Sequence, residues 1–442
     1  MAVHCIAFFL FLLLLLLLSS PFAVYSTVTS SLPGFHGSLP FELETGYVGV
    51  GDSEEIQLFY YFIKSERKPS EDPVMVWLTG GPGCSGISGL AFEIGPVKFE
   101  LKEYNGTTPT LLPTSDSWTK VSSIIFLDQP AGTGFSYSRT EQGRQASDLK
   151  SGQLVHQFIR KWMLIHPEFI SNPLYIGGDS YSGKVVPPAV LFISEGNDQG
   201  VEPRVNLKGY VLGNPLTDEE ADNDAGIPYA HRMGIISDEI YESLVTSCKG
   251  KYFLVEPSNI ECARALERFD ECTKDINGAL ITADKCHPDL PYPGPECQTY
   301  FYTLSYYWSN DESVRTTLGI RKGTIGKWDR CNREEIPYEE DIDSALPYHV
   351  NLSNRGYRSL VYSGDHDIIV SYVATQAWIK ALGYPVVDEW RPWMDNRQIQ
   401  GYARTYANNM TYATIKGGGH TAEYKRKPYY VMFKRWIDGE HL

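Results

Sequence analysis

Basic residues are scarce in this chain of 442 residues. Lysine and arginine together number 39 against 54 aspartates and glutamates, which gives a formal net charge of −15 at pH 7. Nucleic acids and anionic membrane surfaces are bound mainly through basic patches. The charge balance therefore argues against both as partners.

Metal-binding and redox motifs are also missing. The sequence contains no C-x-x-C pair and no H-E-x-x-H, so it predicts neither a zinc site nor a thioredoxin-like centre, and no cofactor is expected. Its 8 cysteines become seven if Cys5 is removed with an N-terminal signal. Disulfides are the expected use of the remaining cysteines, and the odd number leaves one thiol over.

Long apolar runs are limited to one, at residues 5–18, which is followed by Pro21 and by small residues up to Ser26. A run this short, with no basic stop-transfer segment after it, predicts a cleaved secretory signal at 1–26. We expect a monomer of the secretory pathway, in the vacuole or outside the cell. Sequons at Asn105, Asn351 and Asn409 suit glycosylated surface loops.

The remaining chain, 27–442, has the pattern of an α/β protein. Short apolar runs bounded by Gly, Pro or Asp are typical of buried parallel strands, and they occur at 74–78, 123–127, 174–176, 210–212, 360–362 and 413–415. Helical spacing is found at 148–166. Residues 218–331 lack such runs and hold six cysteines, which predicts a mostly helical, disulfide-stapled cap over the C-terminal edge of the sheet.

The most informative motif is GDSYSG at 178–183, directly after an apolar run. A strand that turns sharply into a helix exposes such a serine at a strained tip, so Ser180 is the predicted nucleophile. The same stretch also begins like a phosphate-binding loop. Val185 stands where that loop needs a hydroxyl for magnesium, which rules out the alternative.

Two later loops supply the partners of a serine nucleophile in the chain order of an α/β-hydrolase. SGDHD at 363–367 follows one predicted strand, and GGGH at 417–420 follows another. His420 is the predicted base, whereas His366 is assigned a structural role. Asp365 and Asp367 compete for the acid; we favour Asp367, because hydrolase acids usually lie three residues beyond the glycine that ends the strand, and Asp365 then braces the turn.

An oxyanion hole is predicted from the early loop TGGPGCSG at 79–86. In α/β-hydrolases one donor is the N–H of the residue after the nucleophile, and another comes from an early loop. We therefore assign this role to the backbone amides of Gly81 and Tyr181.

Several motifs in order resemble the serine carboxypeptidase family over nearly the whole mature chain. They are WLTGGPGCS at 77–85, DQPAGTGFSY at 128–137, the serine motif, GNPLTD at 213–218, SGDHD, and the final glycine–histidine. The resemblance implies an α/β-hydrolase fold with an inserted cap.

Departures from the peptidase pattern point to another activity. Serine carboxypeptidases typically have asparagine and glutamate, which help bind the peptide's terminal carboxylate, where this chain has Thr79 and Asp179. Ser182 replaces the usual alanine, and TAEY follows His420 in place of residue-Val-Pro. In all four places the chain resembles the plant serine carboxypeptidase-like acyltransferases of the sinapoylglucose-dependent type. Glu93 remains from the carboxylate network.

The resemblance implies transfer of an acyl group from a 1-O-β-acylglucose donor to an acceptor hydroxyl through an acyl-Ser180 enzyme. Thr79, Gly80, Glu93, Asp179 and Arg330 are the predicted substrate-binding residues. A carboxypeptidase is the alternative, and a binding protein without turnover is a third reading.

Arg330 is assigned to an anionic acceptor such as malate. A solvent-facing ion pair of this arginine with Glu334 or Glu335 is equally open.

The family pattern also implies disulfides Cys84–Cys331 and Cys248–Cys262. For Cys286–Cys297 the support is weaker, because Cys272, the expected free thiol, could replace either partner.

Overall fold

The structure, a computed structural model, describes residues 26–286, 294–295, 297 and 299–442, so the predicted signal peptide lies outside the described residues except for Ser26. The strands in chain order are β1 (Ser26–Thr29), β2 (Leu43–Val50), β3 (Ile56–Ile63), β4 (Val74–Leu78), β5 (Val97–Phe99), β6 (Leu111–Pro113), β7 (Ser123–Leu127), β8 (Tyr137–Ser138), β9 (Ala146–Ser147), β10 (Leu174–Asp179), β11 (Leu207–Gly213), β12 (Tyr338–Glu339), β13 (Arg358–Gly364), β14 (Val386–Asp395), β15 (Gln398–Tyr406) and β16 (Met410–Ile415). The helices are α1 (Glu141–Arg144), α2 (Asp148–Ile165), α3 (Ser182–Asp198), α4 (Glu219–Asp224), α5 (Gly226–Arg232), α6 (Asp238–Cys248), α7 (Ile260–Thr273), α8 (Tyr300–Asn310), α9 (Glu312–Thr317), α10 (Leu346–Asn354), α11 (Tyr372–Ala381) and α12 (Arg426–Ile437).

A single sheet of 12 strands forms the centre, in the order β1-β2-β3-β7-β4-β10-β11-β13-β16-β15-β14, with β8 paired to β3. The six strands from β7 to β16 in this order are parallel to one another. They are the six strands predicted from apolar runs, which confirms those predictions. Antiparallel strands extend the sheet at both ends.

Alternate side chains of the parallel strands enter two separate cores. In β4, Val74 and Val76 pack against α2 and α3, whereas Met75 and Trp77 pack on the opposite face with α12. Both faces of these strands are buried, which is why the strands read as continuous apolar runs. Burying each such side chain contributes roughly 1.5–3 kcal/mol.

The cap stretch 218–331 is helical in its described part, from α4 to α9. Helices α6 and α7 pack on each other around Leu244 and Ala265 in a small cluster that also includes Ile227 and Ala230 of α5. Helix α8 differs, because Leu304 and Trp308 belong to the main core. The last part of the predicted insertion therefore supports the sheet as well as covering it.

Three disulfides join Cys84 to Cys331, Cys248 to Cys262 and Cys286 to Cys297, and Cys272 is an exposed free thiol. These are the pairs implied by the family pattern. The sequon residues Asn105 and Asn409 are exposed. Asn351 departs from the prediction of a surface loop, because it is half-buried within α10 and accepts a hydrogen bond from Arg355.

Candidate active site

Ser180 lies at the tip between β10 and α3 with φ of 54°, a left-handed conformation that is strained for a residue with a side chain. Small neighbours permit this turn. A Cβ on Gly178 would come 2.5 Å from the carbonyl oxygen of Leu78, and one on Gly183 would come 2.3 Å from that of Leu216. The sequence therefore has glycines on both sides of the tip, and the serine hydroxyl is left facing the sheet's C-terminal edge.

The structure brings Ser180, His420 and Asp367 into one chain of hydrogen bonds. His420 Nε2 lies 2.8 Å from Ser180 Oγ, and His420 Nδ1 lies 2.8 Å from Asp367 Oδ2. In this geometry His420 can take the proton of the serine hydroxyl, and Asp367 stabilises the imidazolium that results.

Asp367 is fully buried and held by several donors. Its Oδ1 accepts from the N–H of Ile369 at 2.8 Å, and its Oδ2 accepts from Asn214 Nδ2 at 2.8 Å and from the N–H of Val370 at 3.2 Å. Asn214, in the GNPLTD motif, was given no role from the sequence. The motif itself could be recognised in the sequence, so it could have indicated a functional role for Asn214.

The two aspartates of the acid loop have separate tasks. Asp365 Oδ1 accepts the N–H of Gly417 at 2.5 Å and so braces the histidine loop, as predicted. His366 contacts Thr282 through Nδ1 at 3.3 Å and is directed away from the serine, in keeping with a structural role.

Opposing influences set the pKa of His420. Burial lowers it, whereas the charges of Asp367, Asp179 and Glu423 raise it, and the net result is a pKa above the ordinary value of 6.5. The imidazolium that forms during proton transfer is therefore stabilised, mainly by Asp367.

The early loop approaches the serine tip closely. A Cβ on Gly80 would come 2.7 Å from Ser180 Cβ and 2.9 Å from the amide nitrogen of Tyr181. Ser182 Oγ donates to the carbonyl oxygen of Leu78 at 2.8 Å, which ties α3 to the end of β4. The amides of Gly81 and Tyr181 thus lie on two backbone segments in direct contact, as an oxyanion hole requires.

A cavity of about 300 Å³ opens over the serine. All the substrate-binding residues predicted from the sequence line it, together with the nucleophile, the base and Gly81: Thr79, Gly80, Glu93, Asp179 and Arg330. Cap residues complete the wall, among them Asn277 and Tyr302. Sequence reasoning missed these cap residues, because nothing in the local pattern shows which part of an insertion faces the sheet.

Glu93 and Asp179 form a buried carboxyl pair beside the nucleophile. Desolvation raises the pKa of Glu93 well above its ordinary value and that of Asp179 to about 6, and the charge of Asp179 raises the pKa of Glu93 further. Glu93 Oε2 accepts from Trp77 Nε1 at 3.0 Å, and Asp179 Oδ1 accepts the N–H of Gly80 at 3.2 Å. The rise is larger for Glu93, so Glu93 keeps its proton to a higher pH than Asp179 does.

Arg330 contacts an aromatic ring and not a carboxylate. Its guanidinium lies 3.8 Å from the centre of the Tyr302 ring, and its Nη1 is 3.4 Å from Ser88 Oγ. Tyr302 OH donates to Glu423 Oε1 at 2.6 Å. Within the described part of the chain no acidic side chain pairs with Arg330, so the solvent-facing pair with Glu334 or Glu335 is wrong.

The backbone of the cap pairs with both catalytic loops. The N–H of His420 donates to the carbonyl oxygen of Ala279 at 2.7 Å, the N–H of Ile368 donates to that of Gly278 at 3.1 Å, and the N–H of Ile281 donates to that of His366 at 3.0 Å. Residues 277–281 therefore form a fixed roof beside the histidine.

No group of three or more His, Cys, Asp or Glu residues in the described ranges is placed to hold a metal ion. Where the chain is described, it also has no helix long and apolar enough to cross a membrane.

The chain belongs to the serine carboxypeptidase family, whose model matches residues 33–439. Among its relatives in Arabidopsis thaliana, serine carboxypeptidase-like 2 is 56% identical over 98% of this chain and 97% of the relative, and serine carboxypeptidase-like 19 is 53% identical over 94% and 95%. A similar solved structure is Kex1(delta)p, a prohormone-processing carboxypeptidase from Saccharomyces cerevisiae, with a TM-score of 0.75, 18% identity, and coverage of 94% of this chain and 96% of that one. This likeness confirms the α/β-hydrolase fold.

Proposed function

We propose that this protein is an acyltransferase that moves an acyl group, of the hydroxycinnamoyl class or similar, from a 1-O-β-acylglucose to an acceptor hydroxyl. In the first step Ser180 Oγ attacks the ester carbonyl carbon while His420 Nε2 takes its proton. The N–H groups of Gly81 and Tyr181 hold the oxyanion. His420 then returns the proton to the glucose oxygen, the ester bond breaks, and glucose leaves an acyl-Ser180.

The second step reverses the roles. The acceptor hydroxyl gives its proton to His420 Nε2 and attacks the acyl carbonyl carbon. His420 then returns the proton to Ser180 Oγ as the bond from that oxygen to the acyl group breaks, which releases the new ester. A glucose ester is activated, so the reaction needs no added coenzyme or metal.

One observation carries the proposal over peptide hydrolysis: Asp179 Oδ1 is held by the N–H of Gly80 at 3.2 Å, beside the nucleophile. Its Oδ2 is buried and has no hydrogen-bond partner in the described chain. The glutamate typical of the peptidases is one methylene longer and helps bind a terminal carboxylate. With Asp179 and Thr79 in these places, the recognition of a peptide terminus is weakened.

The cap supports transfer over hydrolysis. An acyl-enzyme reaches its acceptor only if water is largely excluded after glucose leaves. Residues of the roof, which is hydrogen-bonded to the histidine loop, and the ring of Tyr302 line the cavity that contains Ser180.

Arg330 supports an anionic acceptor. It is half-buried, lines the cavity and has no acidic partner in the described chain, so a carboxylate such as that of malate can bind it through two parallel hydrogen bonds. We propose this acceptor class over a cationic alcohol such as choline.

The test incubates the purified protein with sinapoylglucose plus malate or choline and, separately, with blocked dipeptides, with Ser180→Ala as the matched control. Ester formation with malate, lost in the control, is the expected result. Release of C-terminal amino acids without any ester would overturn the proposal and favour a serine carboxypeptidase. That second candidate has the Glu93–Asp179 pair in its favour, since a protonated Glu93 can donate to a carboxylate.

Turnover in either assay would exclude a binding protein. We further propose a destination in the vacuole or outside the cell, to which the three disulfides are suited.

A further inference from the structure

A second cavity, of about 660 Å³, lies between α11 and the hairpin formed by β14 and β15. Neither Ser180 nor His420 lines it. Six aromatic side chains do: Tyr372, Tyr384, Trp390, Tyr402, Tyr406 and Tyr412. Its volume is in the range of small-molecule sites, and it is larger than the cavity over the serine.

Three of these rings form a flat panel across neighbouring strands. The ring of Trp390 is nearly parallel to that of Tyr402, with centroids 5.6 Å apart and planes at 10°, and to that of Tyr412, at 6.0 Å and 18°. Trp390 and Tyr402 are 37% and 39% exposed. Tyr412 is buried, so Trp390 and Tyr402 are the members of this panel on which a planar ring can stack.

Helix α11 and the hairpin form the walls of the cavity. Trp378 and Ile379 of this helix pack with Tyr406 on β15 and Tyr412 on β16. The helix ends at Ala381, and Ile379 and Lys380 of its last turn line the cavity opposite the hairpin.

The charged groups at the cavity favour an anion. Lys380 forms no ion pair with any residue in the described ranges, and Arg404 pairs with Glu389 through Nη2 at 3.1 Å while its Nε has no partner there. Asp365 is the acid among the described lining residues, and its Oδ1 already accepts the N–H of Gly417. Lys380 is therefore without an ion-pair partner in the described ranges, and Arg404 keeps its Nε for a ligand while its Nη2 remains with Glu389.

We propose that this cavity is a second binding site, which takes a planar aromatic carboxylate. The ring stacks on the panel of Trp390 and Tyr402, and the carboxylate is held by Lys380 and Arg404. The site borders the loop of the catalytic acid through Asp365 and is separate from the serine. It does not depend on the proposed acyl transfer.

The test is isothermal titration of the purified protein with 4-hydroxycinnamate, the probe for this class. Trp390→Ala should weaken binding by about tenfold, the equivalent of a lost ring stack, and Lys380→Gln by about threefold. Met394→Ala is the matched control, because Met394 is 46% exposed on the same strand but outside the cavity. It should bind like the parent, and thermal unfolding of each variant verifies the fold.

Two further titrations define the chemistry. The neutral amide of the same compound should bind about tenfold more weakly, since it lacks the charge that the cations hold. Tyr302→Ala, in the serine cavity, should leave the affinity of this site unchanged. Parent-like binding by Trp390→Ala, equal affinity for acid and amide, or tighter binding of glucose than of the acid would each overturn the proposal.

Discussion

Adding one methyl group at Gly80 tests how closely the two halves of the oxyanion hole approach each other. In Gly80→Ala the new Cβ would lie 2.7 Å from Ser180 Cβ, 2.8 Å from the carbonyl oxygen of Asp179 and 2.9 Å from the amide nitrogen of Tyr181. Two of these three neighbours are backbone atoms, which cannot rotate away. The backbone of Gly80 has no positive φ, so the effect of the substitution is steric.

The size of the effect follows from the overlap. Ordinary contacts between such atoms begin near 3.5 Å, so the early loop and the serine tip must separate by about 0.6–0.8 Å. That displacement moves the N–H of Gly81 relative to the N–H of Tyr181. A misplacement of about 1 Å costs about 10²-fold in rate, and the loss of one oxyanion donor costs about as much. We therefore expect a loss of about 10²-fold.

The assay is hydrolysis of 4-nitrophenyl acetate, which reports attack on an ester without assuming the natural donor. kcat/KM should fall by about 10²-fold in Gly80→Ala. The control is Gly326→Ala, where an added Cβ has no heavy atom within 4 Å, and it should keep the activity of the parent. If Gly80→Ala stays within threefold of the parent while remaining folded, the two segments do not form the oxyanion hole.

Three further predictions concern the acid, the pH and the acceptor. Asp367→Asn should lower kcat by about 10⁴-fold, because the imidazole is then held in the wrong tautomer, whereas Asp365→Asn should leave kcat within about tenfold of the parent. If Asp365→Asn is the more severe variant, the roles of the two residues are exchanged. Desolvation raises the pKa of three buried carboxyl groups to about 6 or 7: Asp128, Asp179 and Asp222. Between about pH 4 and 7 the folded state then binds more protons than the unfolded state, so stability falls as the pH rises through this window. The thermal midpoint should therefore be higher at pH 5 than at pH 7.5. A higher midpoint at pH 7.5 would contradict these pKa directions. Arg330→Ala should raise the apparent KM for malate while sparing glucose release from the donor, and unchanged values for both would exclude Arg330 from acceptor binding.

The central strands and the catalytic residues could be predicted from the sequence because both depend on local patterns. A parallel strand buried on both faces must be apolar throughout, so the end of its apolar run marks the end of the strand in the sequence. The residues that follow must then lie at the C-terminal edge of the sheet. Ser180, Asp367 and His420 could be located in this way. Strands β14 and β15 could not, since most of their residues are partly or fully exposed and Pro392 interrupts the pattern.

Contacts between distant segments were also invisible. The hydrogen bond from the N–H of His420 to the carbonyl oxygen of Ala279 joins two backbones, and a backbone group leaves no mark on residue type. The contact of Arg330 with an aromatic ring was invisible for a related reason. Nearby glutamates in the sequence suggested an ion pair, but the fold brings the Tyr302 ring to the guanidinium instead.

The roof of residues 277–281 also divides the cap into modules for protein engineering. Helices α6 and α7 are joined by a disulfide and share a small core with α5, so we expect that these three helices can be exchanged between homologues as a unit. The segment 277–281 cannot be exchanged in this way, because three of its backbone groups are hydrogen-bonded to the loops of the acid and the histidine. A chimera that grafts a foreign cap should therefore keep this segment together with its recipient loops and place its junctions outside it.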